Sequence, residues 1–232
     1  MSKIIFFGNG PLADFTKAEL EKTHEIIFHA HNKADLVEAA RLKAEFPKAR
    51  GVLASFGVLI RSDFLELFEP EGILNLHPSL LPDYRGASPI ESAILDGKND
   101  FSYSIMKLAK AMDAGPIYYQ ETFAGLLEEV LGGDEDPKTA IYRRLATAGA
   151  KWLSENLEKL PEAAAQDETK ATFCGKFDKS MSILEPEKHS AAEILRQIIA
   201  FQSFPKPKYT FYDRNCIVLR AHAVEMADLV SD

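Results

Sequence analysis

Four short apolar runs, KIIFF (3–7), HEIIFHA (24–30), GVLASFG (51–57) and GILNLH (72–77), alternate with stretches whose apolar residues recur at helical spacing. In LADFTKAELEK, Leu12, Phe15, Ala18 and Leu20 fall roughly on one side. KADLVEAARLKAEF repeats the pattern, and SDFLELF opens with an N-cap at Ser62 or Asp63. Strands joined through helices pair in parallel, and right-handed crossovers put helices on both faces of the sheet. The pattern predicts an α/β, Rossmann-like fold with an open, mostly parallel sheet, its ligands taken at the carboxyl ends of the strands.

Further along, SPIESAILDG reads as a helix ending near Gly97, and SYSIMKLA and PIYYQETF read as strands with KAMDAG between them. A long helix follows, entered at Asp136 with Pro137 at its first position. AAAQ and TKATFCGKFDKSMSILEPEKH read as surface and loop. SAAEILRQIIAF is a late helix opening on a Ser190-x-x-Glu193 capping box, and SFPKPKYTFYDRNCIVLRAHAV predicts a hairpin. The chain divides near residue 170 into an α/β body, 1–170, and a small helix-hairpin tail, 171–232.

With 232 residues and 46% apolar composition the chain buries its own core without staples. Cys174 and Cys216, the only cysteines, have neither disulfide-framework nor C-x-x-C spacing, which points to a reducing interior, the cytoplasm. The first residues, MSKIIFFGNGP, break at Gly8 and lack a cleavage site, and no window of about 18 apolar residues suggests a membrane span. A formal charge of -8 argues against wholesale binding of nucleic acid, DNA included, so an RNA partner must find a local basic patch.

Among the polar residues, GNGPLA fits G-x-G-x-x-A through Gly8, Gly10 and Ala13. Pro11 lies inside the loop, however, and no acid stands at the end of the second strand until Asp35, so a plain strand-to-helix turn is preferred. His29 and His31 lie two apart without a carboxylate or cysteine to complete a metal set, and His24, His189 and His222 are expected to face solvent or be satisfied locally. Asn75 and His77 differ from these. Alternation puts both on one face of a strand, Pro78 and Pro82 force the chain out of the sheet just beyond them, and Asp113, in the loop after another strand, is an acid that could converge on the same crevice.

Taken together, NLHPSLLPDYRGASPI (75–90) followed by MDAG (112–115) resembles the folate-dependent formyltransferases, over a body running from KIIFFGNGP through VLASFGVLI to the MDAG loop and more loosely into the tail. The resemblance implies catalytic roles for Asn75, His77 and Asp113 in moving a formyl group from 10-formyltetrahydrofolate to an amine, without a metal. The residue types suit that chemistry. An asparagine N–H stabilises an oxyanion, a histidine holds the formyl oxygen or shuttles a proton, and an aspartate orients the histidine or joins the relay.

The resemblance further implies a folate pocket lined by Phe56, Gly57, Val58, Leu59 and Ile60 and by Ser79, Leu80, Leu81 and Pro82, with acceptor contacts at Gly10, Arg85, Lys206 and Lys208. Branches of the family differ in the acceptor. RGASPI and the tail resemble the branch acting on methionyl-initiator tRNA, and between Arg196 and Arg220 the tail sets Arg196, Lys206, Lys208, Arg214 and Arg220 against Asp213 alone. A nucleotide-linked amino sugar, or glycinamide ribonucleotide, is the alternative acceptor. HAHNKADLVEAA leaves no room for that branch's basic, glycine-rich insertion after the second strand, and the chain stops where its C-terminal β-barrel would follow. The implied protein is a short form of the tRNA-acting branch.

Overall fold

The computed structural model describes residues 1–221; residues 222–232, with His222 and the end of the expected tail, lie outside the described residues. The chain runs β1 (Lys3–Gly8), α1 (Gly10–Leu20), β2 (Glu25–Ala30), α2 (Asp35–Glu45), β3 (Arg50–Ala54), α3 (Ser62–Leu65), β4 (Ile73–His77), β5 (Arg85–Gly86), α4 (Pro89–Leu95), β6 (Phe101–Lys107), β7 (Ile117–Phe123), α5 (Leu126–Leu131), α6 (Pro137–Asn156), β8 (Phe173–Cys174), α7 (Ala191–Phe201), β9 (Lys208–Phe211) and β10 (Arg214–Ile217).

Six strands form one sheet in the order β2-β1-β3-β4-β6-β7. The first four are parallel, and β6 and β7 each run antiparallel to the strand before them in that order. The sheet is the mostly parallel, Rossmann-like one that the apolar runs predict. Because both of its faces are covered, β1 reads as a continuous apolar run whose alternate side chains serve two cores. Ile4 and Phe6 join Leu74, Leu76, Tyr103 and the helices α1 and α6; Ile5 and Phe7 join Leu53, Ile73, Phe56 and Phe68.

Local chemistry accounts for the element boundaries. The Asp136 carboxylate accepts from the Thr139 N–H and Pro137 occupies the first turn of α6; Ser190 and Glu193 close the expected capping box on α7. The expected hairpin is β9 and β10, turned by Tyr212 and Asp213 at φ 44° and 61°. The single helix expected at SDFLELF is one α-turn, α3, followed by a 3-10 turn, Glu66–Phe68. Three elements, α5, β5 and β8, were not anticipated. α5 lies between β7 and α6, and β8, inside the stretch read as loop, pairs in parallel with β5. Just upstream of β8, Ala164 bridges to Ile117 at the start of β7. Residues 164–174 are therefore bonded to the start of β7 at one end and to β5 at the other.

Candidate active site

β4 presents Asn75 and His77 at its carboxyl end, on the face shared with Ile73, with exposures of 4% and 5%. In register on β6, Met106 lies opposite Asn75 and Ser104 opposite His77. His77 Nε2 is 3.1 Å from the Tyr84 carbonyl oxygen. A carbonyl can only accept, so Nε2 carries the ring proton and Nδ1 is the free acceptor. Nδ1 faces Asp113 Oδ2 at 3.8 Å. Burial pulls the His77 pKa below 6.5, outweighing the upward pull of Asp113 and of the Tyr84 carbonyl, with Arg85 adding to the lowering. The imidazole is therefore neutral near pH 7.

Asp113 sits at φ +50° in the turn before β7, and its Oδ2 accepts the Gly86 N–H at 2.8 Å. Gly86 is at φ +122°, and a Cβ there would stand 2.1 Å from the Cys174 carbonyl oxygen, so glycine is required to aim that amide at the aspartate while β5 and β8 pair. No hydrogen bond joins the Asn75 carboxamide to another side chain or backbone group among the described residues. Asn75, His77 and Asp113 thus meet at one crevice, as the alternation and the MDAG position predict.

The segment leaving β4 is pinned from behind. The fully buried Ser104 hydroxyl donates to the Ser79 carbonyl at 2.7 Å and accepts the Leu81 N–H at 3.0 Å, while Gln120 Nε2 donates both to that hydroxyl and to the Leu81 carbonyl, each at 2.8 Å. Ser79 and Leu81 are consequently buried, Pro82 is half-buried, and Leu80 is turned outward. Across the crevice, Phe56 and Ile60 are buried, Val58 is half-buried, and Gly57 and Leu59 are exposed. The backbone N–H and C=O groups of residues 56–60 make no backbone hydrogen bond within the described residues. These are unspent polar groups beside an apolar side chain, Leu59, that is 77% exposed.

The remaining expected residues lie elsewhere. Arg85, expected to touch the acceptor, is 2% exposed and gives its guanidinium to Gln166 Oε1 and to both Glu168 carboxylate oxygens. Gly10 is exposed at the start of α1, beyond the carboxyl end of β1 and two strands from β4. Lys206 and Lys208 are on the tail, Lys206 in the turn before β9 and Lys208 exposed at the start of that strand. The His29 and His31 rings lie with centroids 3.7 Å apart, tilted by 43°, with His29 Nε2 on the Gly8 carbonyl and His31 Nδ1 on Asn9; no cluster of three metal-ligating side chains occurs among the described residues. Sequence reasoning passed over Ser104, Gln120 and Gln166. Only Ser104 left a signal, as a hydroxyl on an inward position of SYSIM; the partners of Gln166 are 51 to 81 residues away.

An amide donor, a neutral imidazole with its free nitrogen facing a carboxylate, and that carboxylate are groups able to stabilise an oxyanion and to move a proton. The model of the formyl transferase family matches residues 18–157, and the chain belongs to that family. Among its relatives, the methionyl-tRNA formyltransferase of Dehalococcoides mccartyi (strain CBDB1) is 32% identical over 213 residues, covering 90% of this chain and 61% of the relative. A methionyl-tRNA formyltransferase of Thermus thermophilus is 37% identical over 155 residues, covering 66% of this chain and 48% of the relative. The chain therefore spans about half to three fifths of the length of these relatives. Two solved structures share the fold: methionyl-tRNA formyltransferase from Clostridium thermocellum, with a TM-score of 0.71 at 17% identity over 97% of this chain and 94% of that one, and HypX from Aquifex aeolicus in complex with tetrahydrofolic acid, with a TM-score of 0.75 at 19% identity over 95% of this chain and 37% of that one.

Proposed function

We propose that the chain transfers the formyl group of 10-formyltetrahydrofolate to the amine of methionyl-initiator tRNA. The observation that carries the chemistry is the convergence of the Asn75 carboxamide, His77 Nδ1 and the Asp113 carboxylate at one strand end. Asn75 donates to the oxygen of the formyl group as charge develops on it. His77, neutral and with Nδ1 unprotonated, accepts a proton from the attacking amine, and Asp113 stabilises the imidazolium that results before the proton passes to the departing nitrogen.

The residues present suit a folate. A pterin is flat, with a lactam edge that needs donors and acceptors, and the unspent backbone groups of residues 56–60 offer both, with Leu59 and Leu80 as apolar walls. In this reading residues 1–170 are the catalytic unit and residues 171–232 the acceptor-facing tail. The names of the relatives favour the tRNA acceptor. So does the tail, which carries exposed Lys206, Lys208 and Arg214 together with exposed Phe211 and Tyr212, residue types that suit an RNA strand. The two free thiols fit a reducing compartment, the cytoplasm; no helix among the described residues is long and apolar enough to cross a membrane.

One observation favours a second reading. β2 ends at Ala30 and α2 begins at Asp35, a connection too short for a basic arm, which suits a small acceptor such as a nucleotide-linked amino sugar. The deciding test is formyl transfer from 10-formyltetrahydrofolate to charged initiator methionyl-tRNA, with uncharged tRNA and a UDP-amino sugar in parallel. Product on the charged tRNA alone supports the first reading. Product on the sugar, or none on the tRNA, overturns it.

A further inference from the structure

We propose that Gln166 is a positioning residue for Asp113, holding the aspartate against His77 by clamping the backbone of its turn. The inference rests on the reading of Asn75, His77 and Asp113 given above. Gln166 Nε2 donates to the Asp113 carbonyl at 2.8 Å and to the Gly115 carbonyl at 2.7 Å. Its Oε1 accepts from Arg85 Nε at 3.1 Å and Nη2 at 2.7 Å, and Arg85 is tied in turn to Glu168. Both donor hydrogens and both acceptor lone pairs of the carboxamide are thereby used.

Asp113 needs such a clamp. It holds a left-handed backbone at φ +50°, which a non-glycine residue keeps only where its surroundings dictate it. Its side chain has one hydrogen bond to a described residue, from the Gly86 N–H, and stands 3.8 Å from His77 Nδ1, where a small shift of the turn changes the pair. The clamp is specific for glutamine. A glutamate would keep the Arg85 contact but set an oxygen against two carbonyl oxygens, and a leucine would keep neither. The same segment supplies the Gly86 support through β8, so residues 164–174 hold Asp113 by its backbone at one end and by its carboxylate partner at the other.

The test compares Gln166→Glu and Gln166→Leu with Asp113→Asn in the full chain. Formyl transfer from 10-formyltetrahydrofolate to methionyl-initiator tRNA is expected to lose about tenfold to a hundredfold in kcat in both Gln166 variants, with the KM for the folate within about twofold, as misplacement of a reacting group requires. The double variant Gln166→Leu/Asp113→Asn should be no slower than Asp113→Asn alone, and multiplicative losses would overturn the inference. A readout free of any acceptor is the His77 titration followed by NMR. The charged groups acting on this ring are Asp113 and Arg85, and the Cys174 thiol shares the Tyr84 carbonyl with it. Asp113→Asn should lower the midpoint, and Gln166→Leu should lower it in the same direction; an unchanged or raised midpoint in Gln166→Leu alone overturns the inference. If Gln166→Leu does not fold, Gln166→Glu carries the kinetic test, and unchanged turnover there is equally decisive. Full turnover in Asp113→Asn would instead remove the reading of the site on which the inference rests.

Discussion

At the scale of single residues, the Asn75 carboxamide makes no hydrogen bond to a described residue and its polar atoms are not sealed from solvent, so the fold does not lean on it. Asn75→Ala is therefore expected to lower kcat about a hundredfold while Tm stays level or rises, because its N–H acts in the transition state and not in the fold. Steady-state kinetics beside a thermal melt separate the two; turnover within a few-fold of the parent would remove Asn75 from the chemistry. His77 and His29 give a pH dependence of stability. Burial, the largest cause for both, lowers each pKa below 6.5 in the folded chain. On lowering the pH, the unfolded chain takes up these protons first, so stability is full above about pH 6.5 and falls as the pH drops toward the folded values. Urea midpoints at about pH 7.5, 6.5 and 5.5 should show the decline, and His77→Gln should flatten it. A midpoint that rises toward pH 5.5 would contradict the sign. Asn75 and His77 were legible from alternation alone, since two polar residues two apart at a strand end have one face to share. Gln166 was not, because a glutamine in a loop declares nothing until its partners are known.

At the scale of elements, the position of β4 depends on what lies behind it. A Cβ on Gly149 of α6 would come within 2.3 Å of Leu76 Cδ1, between Asn75 and His77 in sequence, so helix and strand approach at glycine distance. Gly149→Ala is expected to destabilise by about 1–3 kcal/mol through overpacking, despite the better helix propensity of alanine, and to lower kcat by shifting the strand end. A stabilised variant would show that α6 relaxes freely. Ser104→Ala strands the Leu81 N–H and one Gln120 donor, at a cost of about 1–3 kcal/mol, and should raise the KM for 10-formyltetrahydrofolate more than it lowers kcat, since it loosens the 79–82 segment and not the catalytic trio. The reverse split would place Ser104 with the chemistry. The strands of the six-stranded sheet and the helices of the body other than α5 followed from apolar period and caps. β5 and β8, two residues each, have no period to read and exist only because they meet.

At the scale of the whole molecule, two cores flank one sheet, and α7 fastens the described part of the tail to the body. α7 packs on α4, and the buried Lys138 of α6 donates to the Ala200 carbonyl at 2.7 Å. That arrangement leaves the Lys206 and Lys208 segment on the outside of a chain of net charge -8. Replacing both with glutamine should weaken binding of initiator tRNA and reduce the slope of log affinity against log salt by roughly one to two, with kcat at saturation little changed. An unchanged slope would mean that the hairpin does not face the RNA.

The amino-acid sequence by itself determined the α/β class and the shared face of Asn75 and His77 at the end of β4, because apolar period, proline stops and strand alternation act over a few residues at a time; the joining of Asp113 to that pair came from the family resemblance. Tertiary structure alone decided which nitrogen of His77 is free, that the Arg85 guanidinium is bonded to Gln166 and Glu168, and that a stretch without helical or strand period pairs with β5 and bridges to β7. Those outcomes turn on hydrogen bonds between groups 7 to 81 residues apart, as in His77 to Tyr84 and Arg85 to Gln166, and a donor far along the chain has no local pattern to reveal which acceptor it will meet.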